Sequence, residues 1–116
     1  MSFEKATTID ELWSGEMAGL WIDGAPILLL NIDGVIRAYA DWCPHQRSRL
    51  SAGTLKDRVL TCASHHWQFD VITGQGINPR DACLSPIAVR VVEGEILVDA
   101  SEARALSGLE PDQGEK

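Results

Sequence analysis

The sequence predicts an all-β domain built from antiparallel hairpins, and three observations predict it. Turn signals recur at short intervals, at Gly15, Asp23-Gly24, Asp33-Gly34, Gly53, Thr73-Gly74 and Glu93-Gly94-Glu95. The segments between them are short and rich in residues that favour strands. The chain has no internal repeat and no low-complexity tract, and its one helical hint is the six-residue stretch 8–13, where Thr8 or Asp10 could cap a single turn.

Taken in order, the expected strands are 19–22, 27–32, 35–39, 59–61, 87–92 and 96–99. Asp33-Gly34 joins the second to the third as a tight hairpin, because both residue types tolerate the positive φ that a two-residue loop demands. Glu93-Gly94 joins the last two in the same way. A further hairpin is expected around Lys56-Asp57-Arg58. The segments 41–54 and 63–84 fit no periodic template, and loops of that length are uncommon in compact domains unless they carry function. From Ser101 onward the residues are small and polar, with Gly108, Pro111 and Gly114, so a frayed tail is expected over 101–116.

With 116 residues, 45% of them hydrophobic and 23% charged, the chain has the makings of one globular domain, over 1–100, with one site. No apolar run reaches the length of a membrane span, and Met1-Ser2-Phe3-Glu4-Lys5 lacks the basic head and apolar stretch of a leader, so no membrane association and a cytoplasmic location are expected. The net charge of −7 argues against nucleic acid as a partner. Between Asp41 and His65 the balance inverts: Arg47, Arg49, Lys56 and Arg58 face only Asp41 and Asp57, a local excess of +2. Three cysteines cannot all pair, and metal binding is the better expectation for them.

Two half-motifs carry the chemistry. Cys43-Pro44-His45 and Cys62-Ala63-Ser64-His65 are separated by sixteen residues, 46–61, and each offers one soft thiolate and one borderline imidazole from a short loop. In a Rieske centre two histidines replace two cysteines on one of the two irons of a 2Fe-2S cluster, a division that the two halves match. A Cys2His2 set is also a structural zinc site, although zinc fingers usually pair Cys with Cys and His with His. Of the neighbours His65 and His66, the two-residue gap after Cys62 selects His65 and leaves His66 as a solvated loop residue.

These motifs, with Trp67-Gln68-Phe69-Asp70 and Thr73-Gly74 following, resemble the Rieske ferredoxin family. More narrowly, the opening MSFEK, the CPHQ tetrad and the run from Thr73 to Pro79 with Cys83-Leu84 are similar to the ferredoxins of toluene-4-monooxygenase and related four-component aromatic and alkene monooxygenases. The resemblance implies a Rieske fold of stacked antiparallel sheets with a small cluster-binding subdomain, about 41–84. It implies Cys43 and Cys62 on the buried iron and His45 and His65 on the outer one. It also implies a circuit in which an NADH-dependent flavin and iron-sulfur reductase feeds this carrier, expected to be a monomer, which feeds a terminal diiron hydroxylase. Partners would cover the outer histidines together with Gln46, Arg47, Arg49 and Trp67, and the local positive charge would steer them. The ferredoxin of a ring-hydroxylating dioxygenase is the alternative, and a zinc-stabilised module the reading from another class. Where many family members have proline after the second cysteine and glycine after the second histidine, this chain has Ala63 and His66.

The remaining candidates are few. Ser51, Ser64 and Ser85 have no nucleophile setting, so a hydrolase is not expected. A complete Rieske oxygenase would need a second, mononuclear iron site, for which only His66 remains. Cys83 is expected to be a small packed side chain, Trp13, Trp21 and Trp42 to be packing residues, and Trp67 to cover the subdomain core or dock a partner.

The resemblance also bears on the reduction potential. High-potential family members carry a serine and a tyrosine whose hydroxyls donate to the cluster sulfurs, at the positions of Trp67 and Phe69 here. With both donors missing, the potential is expected at the bottom of the family range of about −150 to +300 mV. Phe69→Tyr should raise it by tens of millivolts where the new hydroxyl reaches the cysteine sulfur, since about 1.4 kcal/mol corresponds to roughly 59 mV for one electron. Protein-film voltammetry checks both values; a wild-type potential well above zero at pH 7 would contradict the donor argument.

Overall fold

The computed structural model describes residues 3–22, 24–42, 49–63, 66–78, 80 and 82–102. Among these residues, ten strands form three antiparallel sheets. They are β1 (Phe3–Thr8), β2 (Met17–Ile22), β3 (Ala25–Ile32), β4 (Val35–Ala40), β5 (Thr54–Lys56), β6 (Val59–Thr61), β7 (Gln68–Asp70), β8 (Gly76–Asn78), β9 (Val89–Val92) and β10 (Glu95–Asp99). The sheet orders are β1-β10-β9, β2-β3-β4 and β5-β6-β7-β8. One 3-10 turn at Ile9–Glu11 follows β1, where Thr8 holds the cap position without a side-chain bond, and another at Leu50–Ala52 precedes β5.

The middle sheet is set by β3, whose eight residues are all buried. Successive side chains of a strand point to opposite faces. Ala25, Ile27 and Leu29 therefore enter one core, with Leu12, Ala38, Ala40, Ile87, Ile96 and Val98. Leu28, Leu30 and Ile32 enter the other, with Tyr39, Leu50, Leu60, Cys62, Phe69, Val71 and Leu84. The polar exception, Asn31, is fully paired: its side-chain amide donates to the Leu12 carbonyl at 2.9 Å, and its Oδ1 accepts from the Gly34 amide at 2.9 Å. Its backbone N–H donates to Glu16 at 3.0 Å and its carbonyl accepts from Gly15 at 2.7 Å, so burying it leaves nothing unsatisfied.

The chain leaves this sandwich after β4 and re-enters it alongside. The Ala40 amide donates to the Ser85 carbonyl at 2.9 Å, the Ile87 amide to Ala38 at 2.9 Å, and Tyr39 bridges Pro86. Between these two crossings lie all four strands of the third sheet. The Tyr39 hydroxyl reaches across and donates to the Val71 carbonyl at 2.7 Å, and burial pushes its pKa up.

Several expected features differ from the structure. β1, β5, β7 and β8 were absent from the expected strands, and β9 starts two residues later than the expected 87–92. Cys83 is exposed rather than packed, because the flanking Ala82 and Leu84 take the inward positions and alternation turns Cys83 out. Trp13 and Trp21 are also surface residues, 65% and 57% exposed. Trp13 is fixed by local bonds, its indole donating to the Asp10 carbonyl and its amide to Glu16. Ser101 and Glu102, the first residues of the expected tail, are tied down: both amides bond to Asp99 Oδ1, and Glu102 accepts from the Ala88 amide at 2.6 Å. Residues 103–116 lie outside the described residues.

The expected hairpins at Asp33-Gly34 and Glu93-Gly94 have positive φ at both central residues, 55° and 87° for the first and 50° and 80° for the second. A Cβ at Gly34 would meet nothing within 4 Å, so Gly34→Ala tests backbone strain alone. Urea unfolding should show a loss of about 1–2 kcal/mol; unchanged stability would contradict the turn geometry.

Candidate metal centre

Of the four expected ligands, Cys62 lies among the described residues, whereas Cys43, His45 and His65 lie outside them, as do Gln46 and Arg47. Cys62 follows β6 and is fully buried at the edge of the second core, where Leu60, Phe69 and the partly buried Trp67 pack. Its backbone closes a small ring: the Cys62 amide donates to the Trp67 carbonyl at 2.8 Å, and the His66 amide donates to the Cys62 carbonyl at 3.0 Å. The loop is thereby held at both ends by its own main chain.

His66 completes this turn with φ of 60°. The left-handed region favours glycine, which the resembling family carries at this place, and histidine is among the side chains that tolerate it. The side chain itself is exposed. His66 thus adopts a backbone conformation that glycine would take without strain.

The flanks of the first loop are equally well defined. Asp41, 0% exposed, receives Arg49 and Ser51, and the Arg49 guanidinium lies 4.8 Å from the Trp21 ring centroid. Arg49 is therefore committed to an internal ion pair, with its side chain 29% exposed, and its charge does not belong to an open basic patch. Arg58 likewise pairs with Asp70 at 3.2 Å, across the β6–β7 pair. Partial burial of the Asp70 carboxyl is outweighed by the Ile72 amide, Arg58 and the Thr73 amide, which together hold its pKa below the usual value. The Arg49–Asp41 pair leaves the local excess of +2 unchanged, since both charges are counted in it, whereas the Arg58–Asp70 pair offsets one of the two at the surface.

The two loop roots touch at Gly53. A Cβ built there would overlap the Thr61 carbonyl oxygen, and Thr61 immediately precedes Cys62. Only a residue without a side chain lets the end of the first loop press against the start of the second.

Asp41 was not singled out by the sequence. The signal available was an acid two residues before Cys43 with an arginine eight residues further on, which linear charge counting treats as two cancelling charges. No group of three or more candidate ligands occurs among the described residues, as follows from three of the four lying outside them. What is described fits an iron-sulfur cluster: a soft sulfur donor buried against an apolar core, at the root of a loop closed by two backbone hydrogen bonds.

Comparison with known proteins agrees with this. A family model described as the Rieske [2Fe-2S] domain matches residues 3–93. The ferredoxin component of the alkene monooxygenase system of Xanthobacter autotrophicus is 42% identical over 91 residues, covering 78% of this chain and 75% of that one. The biphenyl dioxygenase ferredoxin subunit of a Pseudomonas species is 34% identical over 89% of this chain and 96% of its own. Among solved structures, the complex of reduced oxygenase and oxidized ferredoxin in carbazole 1,9a-dioxygenase contains a chain with a TM-score of 0.77 and 29% identity, over 84% of this chain and 93% of that one.

Gly53→Ala should destabilise the protein by about 1–3 kcal/mol, the usual range for overpacking, because a backbone carbonyl has to move. Thermal melting of the holoprotein checks it; an unchanged midpoint would contradict the close approach at Thr61.

Proposed function

The chain belongs to the Rieske [2Fe-2S] domain family, and on that footing we propose that it is the ferredoxin component of a multicomponent alkene or aromatic monooxygenase. It takes single electrons from an NADH-dependent reductase and hands them to a terminal diiron hydroxylase. The observation that carries this reading is the 42% identity to an alkene monooxygenase ferredoxin across most of both chains. Membership of the family replaces the zinc-stabilised module considered from the sequence.

Cys43 and Cys62 would hold one iron, and His45 and His65 the other. When bound, the cluster supplies reversible one-electron chemistry at a fixed site. The protein's part is to hold it dry on one side and reachable on the other. Leu60, Phe69 and Val71 line the core next to Cys62, all fully buried, and exclude water there. Partners dock over His45, His65, Gln46, Arg47, Arg49 and Trp67. With Arg49 paired internally, the steering charge of this face falls mainly on Arg47, and salt should weaken it. The protein acts as a monomer in the cytoplasm, and no helix among the described residues is long and apolar enough to cross a membrane.

Similarity to the biphenyl and carbazole dioxygenase ferredoxins favours a second acceptor, a ring-hydroxylating dioxygenase. Stopped-flow mixing of the reduced protein with the oxygenase components of an alkene monooxygenase and of a naphthalene dioxygenase separates the two. Rapid reoxidation by the first and slow reoxidation by the second is expected, and the reverse order would overturn the monooxygenase assignment. Cys43→Ser and Cys62→Ser should each yield mostly apoprotein. A full 2Fe-2S complement in either would contradict the ligand assignment.

A further inference from the structure

A buried acid needs a reason, because an ionisable group taken out of water is costly unless every acceptor site is filled. Asp41 is fully buried, and among the described residues the donors to its carboxylate are Arg49 and Ser51. Oδ1 accepts the Ser51 amide at 2.8 Å, while Oδ2 accepts the Ser51 hydroxyl at 2.7 Å and both Nε and Nη2 of Arg49 at 2.8 Å. All of these donors come from beyond the segment 43–48, and Asp41 lies before it. Its own amide donates to the Pro26 carbonyl at 3.1 Å, which ties the acid to β3. One carboxylate thus joins the entry and exit of the segment to each other and to the middle sheet.

The surroundings are built to receive this arrangement. Gly19 on β2 has no side chain where one would overlap the Ser51 hydroxyl and come within 2.7 Å of its Cβ and 2.9 Å of Arg49 Nη2. The guanidinium then lies against the exposed Trp21 ring, 4.8 Å from its centroid. A planar fork that bonds through two nitrogens fixes direction as well as distance.

We propose that Asp41 is a positioning residue of the cluster site: its carboxylate clamps the base of the first ligand loop and so sets how Cys43 and His45 are presented to the cluster. This rests on the ligand assignment above. Ligand geometry in metal centres depends on such supporting hydrogen bonds, and loosening them changes both retention and electronic structure.

The test uses holoprotein of the wild type, Asp41→Asn, Arg49→Lys and Ile96→Ala, the last a cavity variant in the opposite core. Two readouts are taken: the rate of cluster loss to a chelator, followed by visible absorbance, and the g-tensor of the reduced cluster by electron paramagnetic resonance. Asp41→Asn should lose its cluster about tenfold faster, as when one charge-assisted hydrogen bond is lost from the closed loop, and its g-values should shift. Arg49→Lys, which keeps the charge but not the fork, should move both readouts in the same direction and stands in if Asp41→Asn does not fold. Ile96→Ala should lower the melting temperature and leave the g-values in place. Unshifted g-values in both clamp variants, or an equal shift in Ile96→Ala, would overturn the proposal. A wild-type protein without histidine-nitrogen coupling in its reduced spectrum would instead overturn the ligand assignment itself.

Discussion

Strand β3 has no solvent face, and the rest of the molecule is arranged around that fact. A strand buried on both sides must be covered by a layer on each, so Ile27 and Leu29 demand the sheet of β1, β9 and β10, and Leu28 and Leu30 demand the sheet of β5 to β8. Burying a leucine or isoleucine side chain is worth about 1.5–3 kcal/mol. Five such side chains on one strand, Ile27 to Leu30 and Ile32, therefore outweigh what any of the short strands of the third sheet could supply alone. The three-residue strands β5 to β8 exist as a sheet because they lie on β3.

The metal-binding end follows from this stacking. Cys62 is at once the last inward residue after β6 and a member of the second core, so the same packing that covers β3 buries the thiol. The neck at Ala40 and Ser85 holds the returning chain against β4, while Gly53 and Thr61 press the two loop roots together. A cluster bound between two loops gains from roots that are fixed before it arrives, because the ordering cost is then met by the fold rather than by the metal. Where many family members have glycine after the second histidine, His66 sits in the left-handed region that glycine favours.

Much of this could be read from the residues. Runs such as Ile27-Leu28-Leu29-Leu30 and the Asp-Gly and Glu-Gly pairs announce strands and hairpins through local chemistry, and the two Cys-x1–2-His motifs announce the cluster through ligand type and spacing. β1, β5, β7 and β8 were not legible, since Phe3–Thr8 carries charges such as Lys5, which pairs with Glu95 on β10, and the three-residue β5, β7 and β8 lack a β-branched pair such as Val59 and Thr61, which marks the equally short β6. Cys83 was misjudged because composition gives no phase, and only the inward Ala82 and Leu84 fix which way it points. Trp21 is on the surface because its strand turns Ile22 inward, and it finds its partner in Arg49, twenty-eight residues further along the chain. Asp41 escaped for the same reason: its role depends on which donors the fold brings to it.

The central claim is that two thiolates and two imidazoles of this chain share one 2Fe-2S cluster, with both histidines on the same iron. Pulsed electron paramagnetic resonance of the dithionite-reduced protein tests it most directly, because nitrogen hyperfine couplings count the imidazoles bound to the reducible iron. The account predicts two such couplings, each lost separately on replacing His45 or His65 and neither lost on replacing His66. A reduced spectrum without nitrogen coupling, or a colourless protein holding one zinc, would contradict it.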